Sequence, residues 1–278
     1  MNSLQNEILN IFKSIKEIFE RNGIDYFAIG GTCIGAVRHN GFIPWDDDLD
    51  IAVPIEQFDN MLNVLKKELP SELALYTCHN RKHYRYIFVK VINTKTTFIE
   101  KSELEYQDAY KGVFVDIMPL GGVQLTKSFY WKIKKYWALN VCKRVFEPSS
   151  SILRRIVNGL IYCLPVKYNH FSNKYFRFLS KYSFADSLYV GYVWYPYIKD
   201  LTFEKKWFSS FVEIPFEDTS IRCPIGYDEY LKKQFGDYMR MPPEKERIGH
   251  HFALINLDRS YQYYIDNPQK VKEDYKDE

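Results

Sequence analysis

The chemistry-bearing residues of this 278-residue chain concentrate in one stretch, Ile29 to Val53, reading IGGTCIGAVRHNGFIPWDDDLDIAV. Four aspartates, Asp46, Asp47, Asp48 and Asp50, fall within five positions. Like charges packed so closely repel one another unless a cation neutralises them. Asp48 and Asp50 are two apart, so on an extended strand both point to one face while Leu49, Ile51 and Val53 point to the other. Two carboxylates on a rigid element suit a hard, oxygen-seeking cation, Mg²⁺ or Mn²⁺ in its place. A solvated acidic loop is the plainer reading, but the run abuts an apolar strand and alternates with it.

A third carboxylate, Asp116, interrupts the apolar run GVFVDIMP. An unpaired charge there would be costly, so it needs a cation or donors beside it. It either completes the metal set or accepts a proton from an attacking hydroxyl; a salt bridge to a buried Arg or Lys is the structural alternative. Upstream, Gly30-Gly31-Thr32 is a turn in which backbone N–H groups can approach a phosphate. Arg38 either clamps a phosphate or makes a surface pair. Lys90, at a strand end, either offsets phosphate charge or is solvated. Tyr192, Trp194 and Tyr195 in GYVWYPY offer aromatic faces for a quaternary ammonium or for ordinary core packing.

The elements that must hold these groups follow from periodicity. Leu4, Ile8, Ile11, Phe12, Ile15, Ile18 and Phe19 predict an amphipathic helix over 4–21, closed by Asn22-Gly23. A short strand over 24–29, a helix through Val37 and a strand over 49–53 come next. Then follow a helix over 55–69, strands over 87–92 and 113–117, a strand near 211–214 and a helix over 227–235. The polar tail from Asn267 is expected to fray.

Composition describes a globular chain, 46% hydrophobic and 26% charged, with 23 Tyr and 20 Phe. The five cysteines form no CxxC pair, and Cys78, His79 and His83 make a weak zinc set at best. With no signal-like opening and no stretch long enough to span a bilayer, a cytoplasmic protein is expected. The net charge of +3 conceals an asymmetry: residues 125–185 carry twelve Lys and Arg against the single acid Glu147. This segment predicts basic helices broken at 147–151 and Pro165. It is suited either to an anionic membrane surface or to packing on the acidic remainder. The chain therefore divides into a catalytic core over 1–124, a basic helical subdomain over 125–186 and a C-terminal segment, 187–278, that completes the core.

Taken together, Gly30-Gly31-Thr32, the run from Gly35 to His39, the run from Gly41 through Asp50 to Ile51, and Asp116 to Leu120 resemble the LicD family. That family includes bacterial phosphocholine transferases and fukutin-related ribitol-phosphate transferases. Weaker likeness appears at Cys223-Pro224, over 227–238, and at Pro242, Arg247 and His250. The resemblance implies an α/β nucleotidyltransferase-like core with a mixed sheet flanked by helices. It also implies Asp48 and Asp50 as the metal pair with Asp116 as the third acidic residue. The implied reaction is attack of a glycan hydroxyl, on a cell-surface glycan or its lipid-linked precursor, on a CDP-linked alcohol, CDP-choline above all, releasing CMP. A nucleotidyltransferase acting on a nucleoside triphosphate is the competing enzyme reading. A non-catalytic protein binding membranes or nucleic acid is a third, and the aspartate cluster argues against it; a nucleic-acid partner is not expected.

Overall fold

A computed structural model describes residues 1–145, 151–247, 249 and 252–275. The chain opens with α1 (Ser3–Arg21), whose inward face carries Ile8, Ile11, Phe12, Ile15, Ile18 and Phe19. Asn2 caps it in a reciprocal box with Gln5. Next come β1 (Phe27–Ala28), α2 (Gly30–His39), β2 (Asp50–Pro54) and α3 (Phe58–Glu68). They lead to β3 (Leu73–Tyr76), β4 (Val89–Asn93), β5 (Thr97–Glu100) and the long, fully buried β6 (Phe114–Gly122).

The seven-stranded mixed sheet runs β1-β2-β6-β4-β3, with β2 parallel to β6 and the other pairs antiparallel. Helices α4 (Lys127–Arg144), α5 (Ile152–Cys163) and α6 (His170–Leu179) follow. The chain then returns to the sheet as β7 (Tyr189–Tyr192) against β6, with β8 (Thr202–Glu204) beside it. A hairpin of β9 (Phe211–Phe216) and β10 (Thr219–Pro224) precedes α7 (Tyr227–Phe235). Strand β11 (Phe252–Asn256) pairs with β5, and α8 (Tyr261–Asp266) and α9 (Pro268–Asp274) close the chain. The fold is thus the mixed α/β architecture expected, a sheet flanked by helices.

Several local expectations shift. The strand over 24–29 shortens to two residues, Phe27 and Ala28, which pair with Ala52 and Ile51, while Ile29 N-caps α2. The tail does not fray from Asn267: Pro268 opens α9, and its Val271 is buried. β3, β5, β7, β8 and β11 are additional, each short and stabilised by pairing with another strand rather than by its own pattern, and α8 is a further short helix. The break anticipated at 147–151 falls outside the described residues up to Ser151, which N-caps α5.

The basic helices pack on the sheet through Phe129, Ile133, Tyr175, Phe178 and Leu179, and one buried side chain adds a polar anchor. Arg144 is fully buried, with no carboxylate partner among the described residues. Its guanidinium donates to the carbonyls of Cys78, Arg81 and Lys82, to Asn140 Oδ1 and to Ser172 Oγ, at 2.6 to 3.1 Å. Five donors in a planar fork match this ring of acceptors, which joins α4 and α6 to the 77–88 loop. Replacing Arg144 by Met should strand several buried carbonyls and cost about 3 kcal/mol, with Lys unable to restore the loss. Chemical denaturation of the two variants checks this.

Candidate active site

The carboxylates meet because of strand register. In the sheet Asp50 lies beside Asp116 and Asp116 beside Lys90, one row across β2, β6 and β4. Lys90 Nζ donates to Asp116 Oδ2 at 2.9 Å and lies 2.8 Å from Oδ1, a contact whose angle makes it an ion pair rather than a second hydrogen bond. Its ammonium also sits 3.5 Å over the Phe114 ring. Burial alone would depress the Lys90 pKa, but the attraction of Asp116 holds it above the ordinary value. Lys90 is therefore a buried partner of Asp116, not a solvated strand-end lysine.

Three of the four clustered aspartates, Asp46, Asp47 and Asp48, bring carboxylate oxygens within 4.8 Å of one another. Asp47, Asp48, Asp50 and Asp116 all line one cavity of about 520 Å³. Asp50 Oδ1 is buried and finds no hydrogen-bond donor among the described residues. Burial first, then repulsion from Asp48 and Asp116, raises the Asp50 pKa well above the carboxylate range. Burial likewise lifts Asp116 to about 6, against the opposing pull of Lys90. An orphaned buried carboxylate oxygen among mutually repelling neighbours fits a hard divalent cation.

The surrounding chain shapes this acidic segment. Gln5 Nε2, reaching from α1, donates to the carbonyls of Ile43 (3.1 Å) and Asp46 (2.9 Å). The hairpin tip at Glu217 grips the other end of the loop: its N–H donates to Asn40 O, and its Oε1 accepts from Phe42 N–H. From the C-terminal region, Arg247 lies over the Trp45 ring, and Gly249 sits where a Cβ would come within 3.3 Å of Asp47 Oδ2. His250, matched to the family above, lies outside the described residues.

The Gly-Gly-Thr turn is bound up with the carboxylates. Gly30 adopts φ +55, and its N–H is spent on Tyr230 Oη at 2.7 Å. A Cβ on Gly31 would stand 2.8 Å from Asp46 Oδ2. Thr32 Oγ1 accepts from Asp50 N–H at 2.8 Å. Arg38 points elsewhere, donating to His39 Nε2 and to the carbonyl of Tyr238. His79 and His83 likewise engage separate partners, Asn173 and Asp108.

The aromatic trio divides. Tyr192 is buried, its hydroxyl bonded to Tyr230, so it supports Gly30 rather than the cavity. Tyr195 packs edge-on against Trp194. Of the three, Trp194 alone lines the cavity, joined by Tyr86 and Phe88 from the loop leading into β4. Tyr86 stacks on Phe88 at 4.8 Å, and Trp194 stands nearly perpendicular to Tyr86. Phe98, Phe114, Phe252 and Glu100 form further lining. Buried Lys111 bridges Glu100 and Glu103; burial opposes ionisation of Glu100, but Lys111 prevails and holds it at about 2. Sequence reading missed Gln5, Tyr86, Phe88, Glu100 and Lys111. Only the two-residue spacing of Tyr86 and Phe88, just ahead of β4, carries a local signal.

A mixed sheet with acidic groups gathered on neighbouring strands beside a Gly-Gly turn is the arrangement of a nucleotidyltransferase-like enzyme domain. Residues 23–153 match the family described as LicD/FKTN/FKRP, nucleotidyltransferase domain. Over 253 residues, 87% of this chain and 92% of the relative, the chain is 27% identical to the lipopolysaccharide cholinephosphotransferase LicD of Haemophilus influenzae. A stretch of 43 residues is 40% identical to the ribitol 5-phosphate transferase FKRP of Homo sapiens, covering 16% of this chain and 9% of that one. Residues 23–153 carry a LicD/FKTN/FKRP nucleotidyltransferase domain, and the chain is a transferase of phosphorus-containing groups.

The raised carboxylate pKa values have a consequence for stability. A carboxyl whose folded pKa exceeds its unfolded one binds its proton more tightly when folded, so the metal-free protein loses stability as pH rises through about 6. Asp50→Asn should flatten that slope and raise the metal-free Tm, because it removes a buried charge without changing shape. Mg²⁺ or Mn²⁺ should raise the wild-type Tm at pH 8 and leave Asp50→Asn nearly unmoved. Thermal scans across pH, with and without chelator, report all three effects.

Proposed function

We propose that this enzyme is a divalent-metal-dependent phosphotransferase that moves phosphocholine from CDP-choline to a hydroxyl of a cell-surface glycan or its lipid-linked precursor, releasing CMP. One observation carries the reading: the acidic row and an aromatic-walled surface share a single cavity. Carboxylates suit the pyrophosphate through a metal, and aromatic faces suit a quaternary ammonium. Further support comes from the names of two relatives, one a cholinephosphotransferase and the other a ribitol 5-phosphate transferase.

Asp48 and Asp50 hold the cation, with Asp46 and Asp47 adding negative charge beside them. The bound metal supplies charge withdrawal from the phosphate oxygens. Asp116, oriented by Lys90, takes the proton of the acceptor hydroxyl as its oxygen bonds to the choline-bearing phosphorus. The bond from that phosphorus to the bridging oxygen breaks, and CMP leaves with the electron pair. Lys90 serves by fixing Asp116 rather than by touching the phosphate. Tyr86, Phe88 and Trp194 receive the trimethylammonium, whose charge the ionised Glu100 complements.

The test is CMP release from CDP-choline, CDP-ribitol and CDP-glycerol, with Mg²⁺ and with chelator. CDP-choline should be turned over fastest, and chelator or Asp48→Ala should abolish release. Asp116→Asn should lower kcat at least about a hundredfold. Trp194→Ala should raise KM for CDP-choline about tenfold with a smaller effect on CDP-glycerol. Pyrophosphate released from a nucleoside triphosphate would overturn the proposal in favour of nucleotidyl transfer. Preference for CDP-ribitol would reassign the alcohol.

A further inference from the structure

Helix α5 is built inside out. It has no buried residue, although most of its sequence, ILRRIVNGLIYC, is apolar. At 100° per residue, Ile152, Leu153, Ile156, Val157, Leu160 and Leu164 fall on one arc of roughly 140°. All six are exposed, at 74%, 73%, 55%, 44%, 66% and 40%. The opposite side, with Asn158 and Tyr162, is the one turned to the protein. Cys142 Sγ contacts Asn158 Oδ1 at 3.3 Å, and Lys82 lies over the Tyr162 ring. Lys143 Nζ caps the end of the helix, donating to the carbonyls of Tyr162 and Leu164 at 2.7 Å each. A helix of a water-surrounded protein turns its apolar stripe inward. Here the anchoring contacts hold that stripe outward.

We propose that α5 is an interfacial anchor, lying flat in the headgroup region of an anionic lipid bilayer with this arc sunk among the acyl chains. Its twelve residues extend about 18 Å, too short to span, and no described helix is long and apolar enough to cross a membrane. Charge selects the occupant. Arg154 and Arg155 stand on the two margins of the arc, where their stems can follow apolar surface and their heads reach phosphate. α5 contains no acid, and the surrounding residues 125–185 carry twelve Lys and Arg against one Glu. A second copy of the chain would set two like-charged segments against each other, whereas an anionic surface complements them. This inference is independent of the reaction proposed above.

Flotation of the full chain with vesicles tests it. Binding is expected to phosphatidylglycerol–phosphatidylcholine vesicles, at least about tenfold tighter than to phosphatidylcholine alone, and weaker at high salt. Arg154→Glu should weaken partitioning about tenfold. The double substitution Ile156→Asp, Leu160→Asp should abolish it while leaving Tm and circular dichroism unchanged, since both side chains are exposed. Failure of the wild type to float with the anionic vesicles would overturn the proposal, as would equal binding by the double variant. A wild-type dimer in light scattering that the double substitution dissolves would also overturn it, because a second copy would then cover the arc.

Discussion

The structure is organised around an electrostatic liability: several carboxylates brought together where water is scarce. Sheet register alone places Asp50 beside Asp116, and one lysine, Lys90, is shared between the strands to offset them. That single buried ammonium engages Asp116 and leaves Asp50 with an unmatched oxygen. Folding concentrates negative charge here, and among the described residues Asp50 Oδ1 is left without a donor. Such an arrangement persists only if packing elsewhere over-determines it, or if a bound cation supplies the missing charge.

The over-determination is visible in how far apart its parts lie in the chain. The acidic loop is gripped by Gln5 at one terminus of the protein and by Glu217 from a hairpin more than 170 residues later. Thr32 holds the backbone of Asp50, and Tyr230 on α7 holds Gly30, with Tyr192 behind it. Gln5 has a double duty, since the same side chain closes the capping box of α1. The first helix and the C-terminal half are thus parts of the site's frame, although neither supplies a carboxylate to the cavity.

The periphery follows two different rules. Arg144 and Lys143 spend their charge on backbone carbonyls, one joining α4 to the loop that leads to Tyr86 and Phe88, the other closing α5. Of the twelve basic residues in the segment, these two are structural. α5 itself contributes little to the core and presents hydrocarbon outward. A helix retained in that orientation costs solubility, so its counterpart lies outside the folded chain.

Short-range pattern was enough to find the clustered carboxylates, the α1 stripe and the limits of α7. Charge density, a 3.6-residue repeat and a glycine stop are all legible within a few neighbours. The alternation that aims Asp48 and Asp50 is equally local. Pairing was not legible: Asp116 demanded a cation, but 26 residues separate it from Lys90, and nothing near either names the other. The aromatics misled for a related reason. With 43 Tyr and Phe in the chain, composition could not distinguish Tyr192, which props up Gly30, from Trp194, which faces the cavity. Nor could it bring Tyr86 and Phe88 to Trp194 across more than a hundred residues. Residue type and spacing determine what a segment can do and which way its side chains alternate. Which distant group meets them depends on strand order and register, because those contacts exist only once the whole sheet has closed.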